Sequence, residues 1–388
     1  GRASARPFLW RNKMKSVILA CLALSIMLSA KVHAAENLLI ISIDGLRWQE
    51  VFQGMDSNIL EQQSTVLQQR LKKDFSANTD VLKRQRLMPF LWQEVANKGV
   101  LIGNRNLDSK MNVSNDMWFS YPGYNELLTG KPDPKITSND NVPNANITFL
   151  EWLNQQNGYQ NKVAAFGSWD VFPAIINQQR SGVMVNAGFE SAVWPNLSAK
   201  AQWLNTLQQQ IPSPWHNVRF DAFTVGFASE YIDTHHPKVI YIALGETDDY
   251  AHQGHYAEYI RGAHRDDQFI ALLWQQLQSI KSYHNNTNLI ITVDHGRGNT
   301  AQTWQHHSSH KAMKKSATTD AESQGIIGSD QIWLAAMGPD IKPMGEVSIA
   351  GQYYLSQVAA TALNFLNFLP SNYATDIGST INIMQSTP

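Results

Sequence analysis

Cysteine is almost missing: of 388 residues only Cys21 carries a thiol. The body after it therefore has no disulfide framework, no thiolate nucleophile and no sulfur ligand for a metal. Charge is also scarce, at 16% of residues. No block of Lys and Arg supplies the clustered positive charge on which nucleic-acid binding draws, so no nucleic-acid surface is expected. Internal repeats, low-complexity linkers and a second long apolar run are absent, which excludes solenoids and argues for one folded body. What is present in quantity is apolar: 43% of residues are hydrophobic and 12 are Trp, enough for a large core and too many for a disordered or coiled-coil chain.

The first 34 residues hold six of the 31 basic residues and no acid, leaving a mildly acidic body. Lys13 and Lys15 precede the apolar stretch Val17–Ala30, and Val32-His33-Ala34 supplies a small-residue exit. This pattern reads as a cleaved secretory signal over residues 1–34, with 1–13 upstream of a start at Met14. The run is short for a membrane span, so no stable membrane anchor is expected. Leu19-Ala20-Cys21 lies at the front of the apolar run, where a lipoprotein box would end it, so lipidation is not expected. Residues 35–388 are expected to form one domain, periplasmic or secreted.

Strands are predicted at Leu38–Ile43, Lys162–Phe166, Val239–Leu244, Leu289–Val293 and Ile332–Met337, from short runs rich in Ile and Val. Helical spacing of apolar residues marks Tyr256–Ile280, Leu204–Gln210 and Gln357–Phe368. Continuous apolar strands alternating with helices give an α/β fold with a mostly parallel central sheet and helices on both faces. Ligands then bind at the carboxyl ends of the strands. Pro132–Asn146 and Lys311–Ser329 read as loops over that edge.

Three of the apolar runs end in carboxylates: Asp44 after the first, Asp248 after the third, and Asp294 with His295 after the fourth. One Asp after a strand is ordinarily a cap or turn residue, whereas three with histidines beside them suggest a metal centre. Asp248 and His252 stand one helical turn apart and share a face. His306, His307 and His310 follow shortly after His295. Oxygen and imidazole donors without thiolate favour zinc or a similar divalent ion. The nucleophile candidate is Ser120 in SYPGYNELLTG, where Pro122 and Gly130 bracket a short helix. A helix N-terminus favours an alkoxide and a bound phosphate.

In order along the chain, IDGLRW, SYPGYNELLTG, ETDDYAH and VDHG resemble the motifs of the alkaline phosphatase superfamily, in its type I phosphodiesterase and nucleotide pyrophosphatase branch. The resemblance runs from about Leu38 to Pro339 and implies an alkaline phosphatase-like fold. It further implies two divalent ions, most readily zinc, with Asp44, Ser120, Asp294 and His295 on one and Asp248, His252 and a later histidine on the other. Trp304-Gln305-His306-His307 resembles a Trp-x-x-His signature of some bacterial members, which implies His307 for that last place, with His306 as competitor. The resemblance also implies a phosphate-contacting Asn in the loop after the short helix, for which alignment on Leu127–Gly130 selects Asn141 over Asn139.

The implied reaction is hydrolysis of a small phosphate ester, mono- or diester, through a phosphoserine at Ser120. A sulfatase would need Arg where Tyr124 stands, and a phosphoglycerate mutase would need a whole domain inserted between Ser120 and Asp248. A non-catalytic relative would be expected to have lost ligands, and all seven positions are filled. The resembled diesterases read Pro-Asn-His where this chain reads Pro122-Gly123-Tyr124. Trp118, Tyr121 and Tyr124 are candidates to stack on an aromatic leaving group, or else to join the core.

Overall fold

The computed structural model describes Gly1 and residues 34–314 and 325–385. Apart from Gly1 and Ala34, the signal assigned to residues 1–34 lies outside the described residues, and Ala35–Gln385 forms a unit of its own. Its strands are β1 (Asn37–Ile43), β2 (Gly99–Ile102), β3 (Ser109–Asn112), β4 (Val163–Gly167), β5 (Met184–Ala187), β6 (Val239–Leu244), β7 (Thr287–Thr292), β8 (Gln331–Ile332), β9 (Leu334–Met337), β10 (Gly345–Glu346) and β11 (Gly351–Tyr354). The main sheet has eight strands in the order β10-β2-β9-β7-β1-β6-β4-β5, and β11-β3-β8 forms a smaller one.

Every residue of β1, β6 and β7 is buried, which requires cover on both faces. β1 pairs in parallel with β6 on one side and β7 on the other, with Ile43 beside Leu244 and Ser42 beside Thr292. The three central strands therefore finish level with one another, and their carboxyl ends share one edge. Each fully buried Ile or Leu in these strands stabilises the fold by roughly 1.5–3 kcal/mol, so this edge is a rigid platform. β2–β9 and β7–β9 are the antiparallel pairs of the main sheet.

Four of the five expected strands lie close to where periodicity put them. The fifth divides: Ile332 ends β8 in the small sheet and Leu334 opens β9 in the main one. Between them Trp333 is fully buried, its indole N–H donating to Leu46 O at 3.0 Å while its carbonyl accepts from Thr292 at 2.7 Å. The chain changes sheets at that anchored residue, a step that an unbroken apolar run hides. The long helix spans Tyr256–Ser279 and buries Ile260, Ala263, Ile270, Leu273 and Leu277, while Leu272 of the expected stripe faces solvent. Asp221–His235, not anticipated from the sequence, buries Phe223, Val225, Phe227 and Ile232, residues spread around its circumference. With no polar face there was no period to read.

Candidate active site

The level strand ends deliver the predicted carboxylates. Asp44 follows β1, Asp294 follows β7 after Val293, and beyond β6 the helix Glu246–His252 carries Asp248 and His252. Gly45, at φ +60, is the turn that lets these groups meet, since a Cβ there would stand 2.8 Å from both Asp248 Oδ1 and Arg297 Nη1.

The nucleophile helix is Ser120–Thr129, closed by Gly130 at φ +78. Ser120 is its first residue and Phe119 takes the cap position without a side-chain cap bond, so the serine hydroxyl is not spent on capping. Gly123 permits the helix to lie against the strand end: a Cβ there would run into the backbone carbonyl of Asp294. The approach to Ser120 is held by Glu126 of the same helix. Its carboxylate accepts from the Ser114 N–H at 2.9 Å, the Asn115 N–H at 2.8 Å and the Ser356 N–H at 3.0 Å. Asn115 in turn accepts from the Met117 and Trp118 N–H groups at 3.0 and 2.9 Å. Trp118, held at φ +58, is thereby fixed just before the serine.

Two groups of ligand atoms result, Asp44 with Asp294 and His295, and Asp248 with His252 and His307. In the first, His295 Nδ1–H donates to Gly296 O at 2.8 Å, which leaves Nε2 to face the other ligand atoms. That nitrogen lies 3.3 Å from Ser120 Oγ, 3.3 Å from Asp44 Oδ1 and 3.4 Å from Asp294 Oδ2. In the second, His252 Nε2 is 2.9 Å from His307 Nε2 and 3.2 Å from Asp248 Oδ2. The His295 and His307 rings are 4.0 Å apart, so the groups adjoin.

These residues fit divalent cations on their own evidence. Asp44 Oδ1 and Asp294 Oδ2 are buried without a hydrogen-bond partner, as is His307 Nδ1. Burial, and then repulsion from Asp248, raises the Asp44 carboxyl, and burial, and then Asp44, raises Asp294 further. Burial also opposes charge on His295, but Asp294 and Asp44 bring its pKa up to about 9. Converging carboxylates short of positive charge are what a bound cation would relieve. Asp248 is the exception: burial works against its charge, yet His252 and Arg297 hold it well below the usual carboxylate range.

The sequence reading missed Arg297. It is buried, its guanidinium contacts Asp248 Oδ1, and it donates to the carbonyls of Trp304 and Gln305. Arg47 of the first motif donates to Gly298 O at 2.9 Å, bracing the same loop. Trp304 is buried against Tyr256, 5.0 Å between ring centroids, and this anchor sets the register that brings His307 to the ligand group. His306 is exposed and belongs to neither ligand group, and His310 opens a short helix further on. The available signal for Arg297 was Gly296-Arg297-Gly298, two glycines that admit close backbone around one arginine.

A cavity of about 520 Å³ opens over the site, lined by Ser120, Asp44, Asp248 and His252, with Asn139, Asn141, Trp169 and Asp249 among its other walls. Asn139 Oδ1 accepts from the Tyr121 N–H at 2.9 Å, which orients its NH2 group. Asn141, favoured by alignment, shares the cavity without a side-chain hydrogen bond. Tyr121 and Tyr124 are buried in the core, so neither is a stacking surface, and Trp169 is the aromatic ring on the cavity wall.

Residues 112–342 match the family described as type I phosphodiesterase / nucleotide pyrophosphatase, more than half of the 388 residues. The chain belongs to this family. As such it is a hydrolase of the alkaline phosphatase superfamily, whose metal dependence agrees with the two ligand groups. No curated protein sequence matches it. Its fold is similar to that of the alkaline phosphatase PafA, with TM-score 0.52 and 12% identity over 86% of this chain and 96% of that one. It is also similar to a phosphonate monoester hydrolase from Silicibacter pomeroyi, with TM-score 0.51 and 13% identity over 89% and 76% of the two chains. A putative sulfatase from Bacteroides thetaiotaomicron gives TM-score 0.52 and 14% identity over 90% and 76%. At these identities the likeness speaks for the fold alone.

Proposed function

We propose that this family member is a secreted or periplasmic two-metal phosphodiesterase in which Ser120 is the nucleophile. One observation carries the reading: Ser120 Oγ begins a helix, faces His295 Nε2 at 3.3 Å, and shares one cavity with members of both ligand groups. Asp44, Ser120, Asp294 and His295 would hold one ion and Asp248, His252 and His307 the other, most readily zinc given N and O donors without sulfur. Held by these residues, two such ions would supply charge to favour the attacking and the leaving oxygen of a displacement at phosphorus.

The chain's own groups supply the rest. Ser120 Oγ forms a bond to phosphorus as the bond to the leaving alcohol's oxygen breaks, and the alcohol departs with a proton. Water then attacks phosphorus, the bond to Ser120 Oγ breaks, and the serine recovers its proton. The oriented NH2 of Asn139, whose Oδ1 is held by the Tyr121 N–H at the helix start, favours the phosphoryl oxygens.

A diester is favoured over a monoester because, among the described residues, no Lys or Arg lines the cavity, while Asp140 and Asp170 do. A monoester's second negative oxygen would meet carboxylates instead of a cationic partner. The secretory reading rests on residues 1–34 alone, and among the described residues no helix is long and apolar enough to cross a membrane. Mature protein with measured metal content, assayed on a phosphomonoester, a phosphodiester and a sulfate ester, tests the proposal. The diester should turn over fastest, and a protein that hydrolyses none of them while holding two ions would overturn it.

A further inference from the structure

We propose that Tyr124 is a positioning residue for the metal centre: its hydroxyl occupies one oxygen of Asp44 so that the other alone is left for a cation. The inference rests on the two-metal reading above and deepens it.

Tyr124 lies one helical turn after Ser120, so the two side chains rise from the same face of the helix. It is 1% exposed, and its hydroxyl lies 2.9 Å from Asp44 Oδ2. Asp44 Oδ1 is buried and has no hydrogen-bond partner. The two oxygens of this carboxylate are thus sorted, one answered by the phenol and one bare on the side of His295 Nε2, 3.3 Å away.

Two aromatic rings pack against that of Tyr124. Phe172 meets it edge-on at 4.7 Å and Trp169 at 6.5 Å between centroids. Phe172 is itself seated against Gly167 at the end of β4, where a Cβ would strike its ring. One helix turn therefore sets both the nucleophile and the orientation of a metal ligand.

The test is Tyr124→Phe, which keeps the ring and removes only the hydroxyl. Metal-stripped protein is titrated with Zn²⁺ by calorimetry, and its Co²⁺-substituted form is read by visible absorption. The expected result is one of two sites weakened by about 10- to 100-fold, with an altered Co²⁺ spectrum and an unchanged melting temperature of the metal-free protein. Phe172→Leu, which loosens the ring but keeps the hydroxyl, is expected to leave both sites near wild-type affinity. Wild-type affinity and spectrum in Tyr124→Phe would overturn the proposal while leaving the two-metal reading intact. An equal loss in Phe172→Leu would also overturn it, because packing and not the hydrogen bond would then be the cause. A wild-type chain that takes up no Zn²⁺ would overturn both.

Discussion

The two ligand groups are built by different means. Asp44, Asp294 and His295 are all buried and hang from the ends of two strands that pair along their length. Asp248, His252 and His307 are partly open, with the His252 side chain 42% exposed, and they join a short helix to a loop. The inner geometry is paid for by the sheet itself. The outer one depends on Arg47, Arg297 and Trp304 holding the loop in register. A site built on paired strands resists perturbation, whereas one closed by a braced loop opens locally at lower cost.

Metal removal should break the comparison most completely. On dialysis against a chelator, the outer ion should leave first and the inner one more slowly, activity should fall to background, and added zinc should restore it. Metal content followed alongside turnover checks this, and full activity in verified metal-free protein would refute the two-metal mechanism. Ser120→Ala comes next in size. It should reduce turnover by about three orders of magnitude or more while both ligand groups keep their ions, since the remaining donors are untouched. Activity within tenfold of wild type would remove Ser120 as nucleophile.

How far the sequence could be read follows the same division. The inner group was legible because a strand's end is marked in sequence: apolar runs stop at Asp44 and Asp294, and parallel pairing must bring such ends to one edge. Asp248 and His252 were legible as one helical turn. The outer closure was harder, because which of two adjacent histidines turns inward depends on where Trp304 is buried, a tertiary fact that the spacing only indicates. Arg297 carried no period at all, and Tyr124 read equally well as core or as a stacking surface. The split of Ile332–Met337 between two sheets was hidden for a related reason: both segments are apolar, and nothing local marks the change of partner.

His307→Ala against His306→Ala sharpens the comparison at one residue. The first should cost the outer ion and spare the inner one, with a large loss of turnover. The second should keep both ions and stay within a few-fold of wild-type turnover, because the His306 ring is exposed and outside both groups. Metal analysis of the two purified variants decides it, and the opposite pattern would put the register wrong by one residue.

The smallest effect concerns the substrate side. Asn139 and Asn141 both line the cavity, but only Asn139 is held, its Oδ1 accepting from the Tyr121 N–H at 2.9 Å at the start of the nucleophile helix. A backbone N–H can only donate, so the amide must present its NH2 elsewhere, in a fixed orientation on the cavity wall. Asn139→Ala should therefore lower kcat/KM by about 10²-fold, the usual cost of one preorganised donor to a developing oxyanion. Asn139→Asp should be worse, since it keeps the acceptor for Tyr121 but turns a carboxylate oxygen toward the phosphate. Asn141→Ala, which removes a side chain with no partner to orient it, should stay within a few-fold. Steady-state kinetics on a phosphodiester separates the three, and equal losses in Asn139→Ala and Asn141→Ala would mean that the hydrogen bond to Tyr121 does not select the phosphate contact.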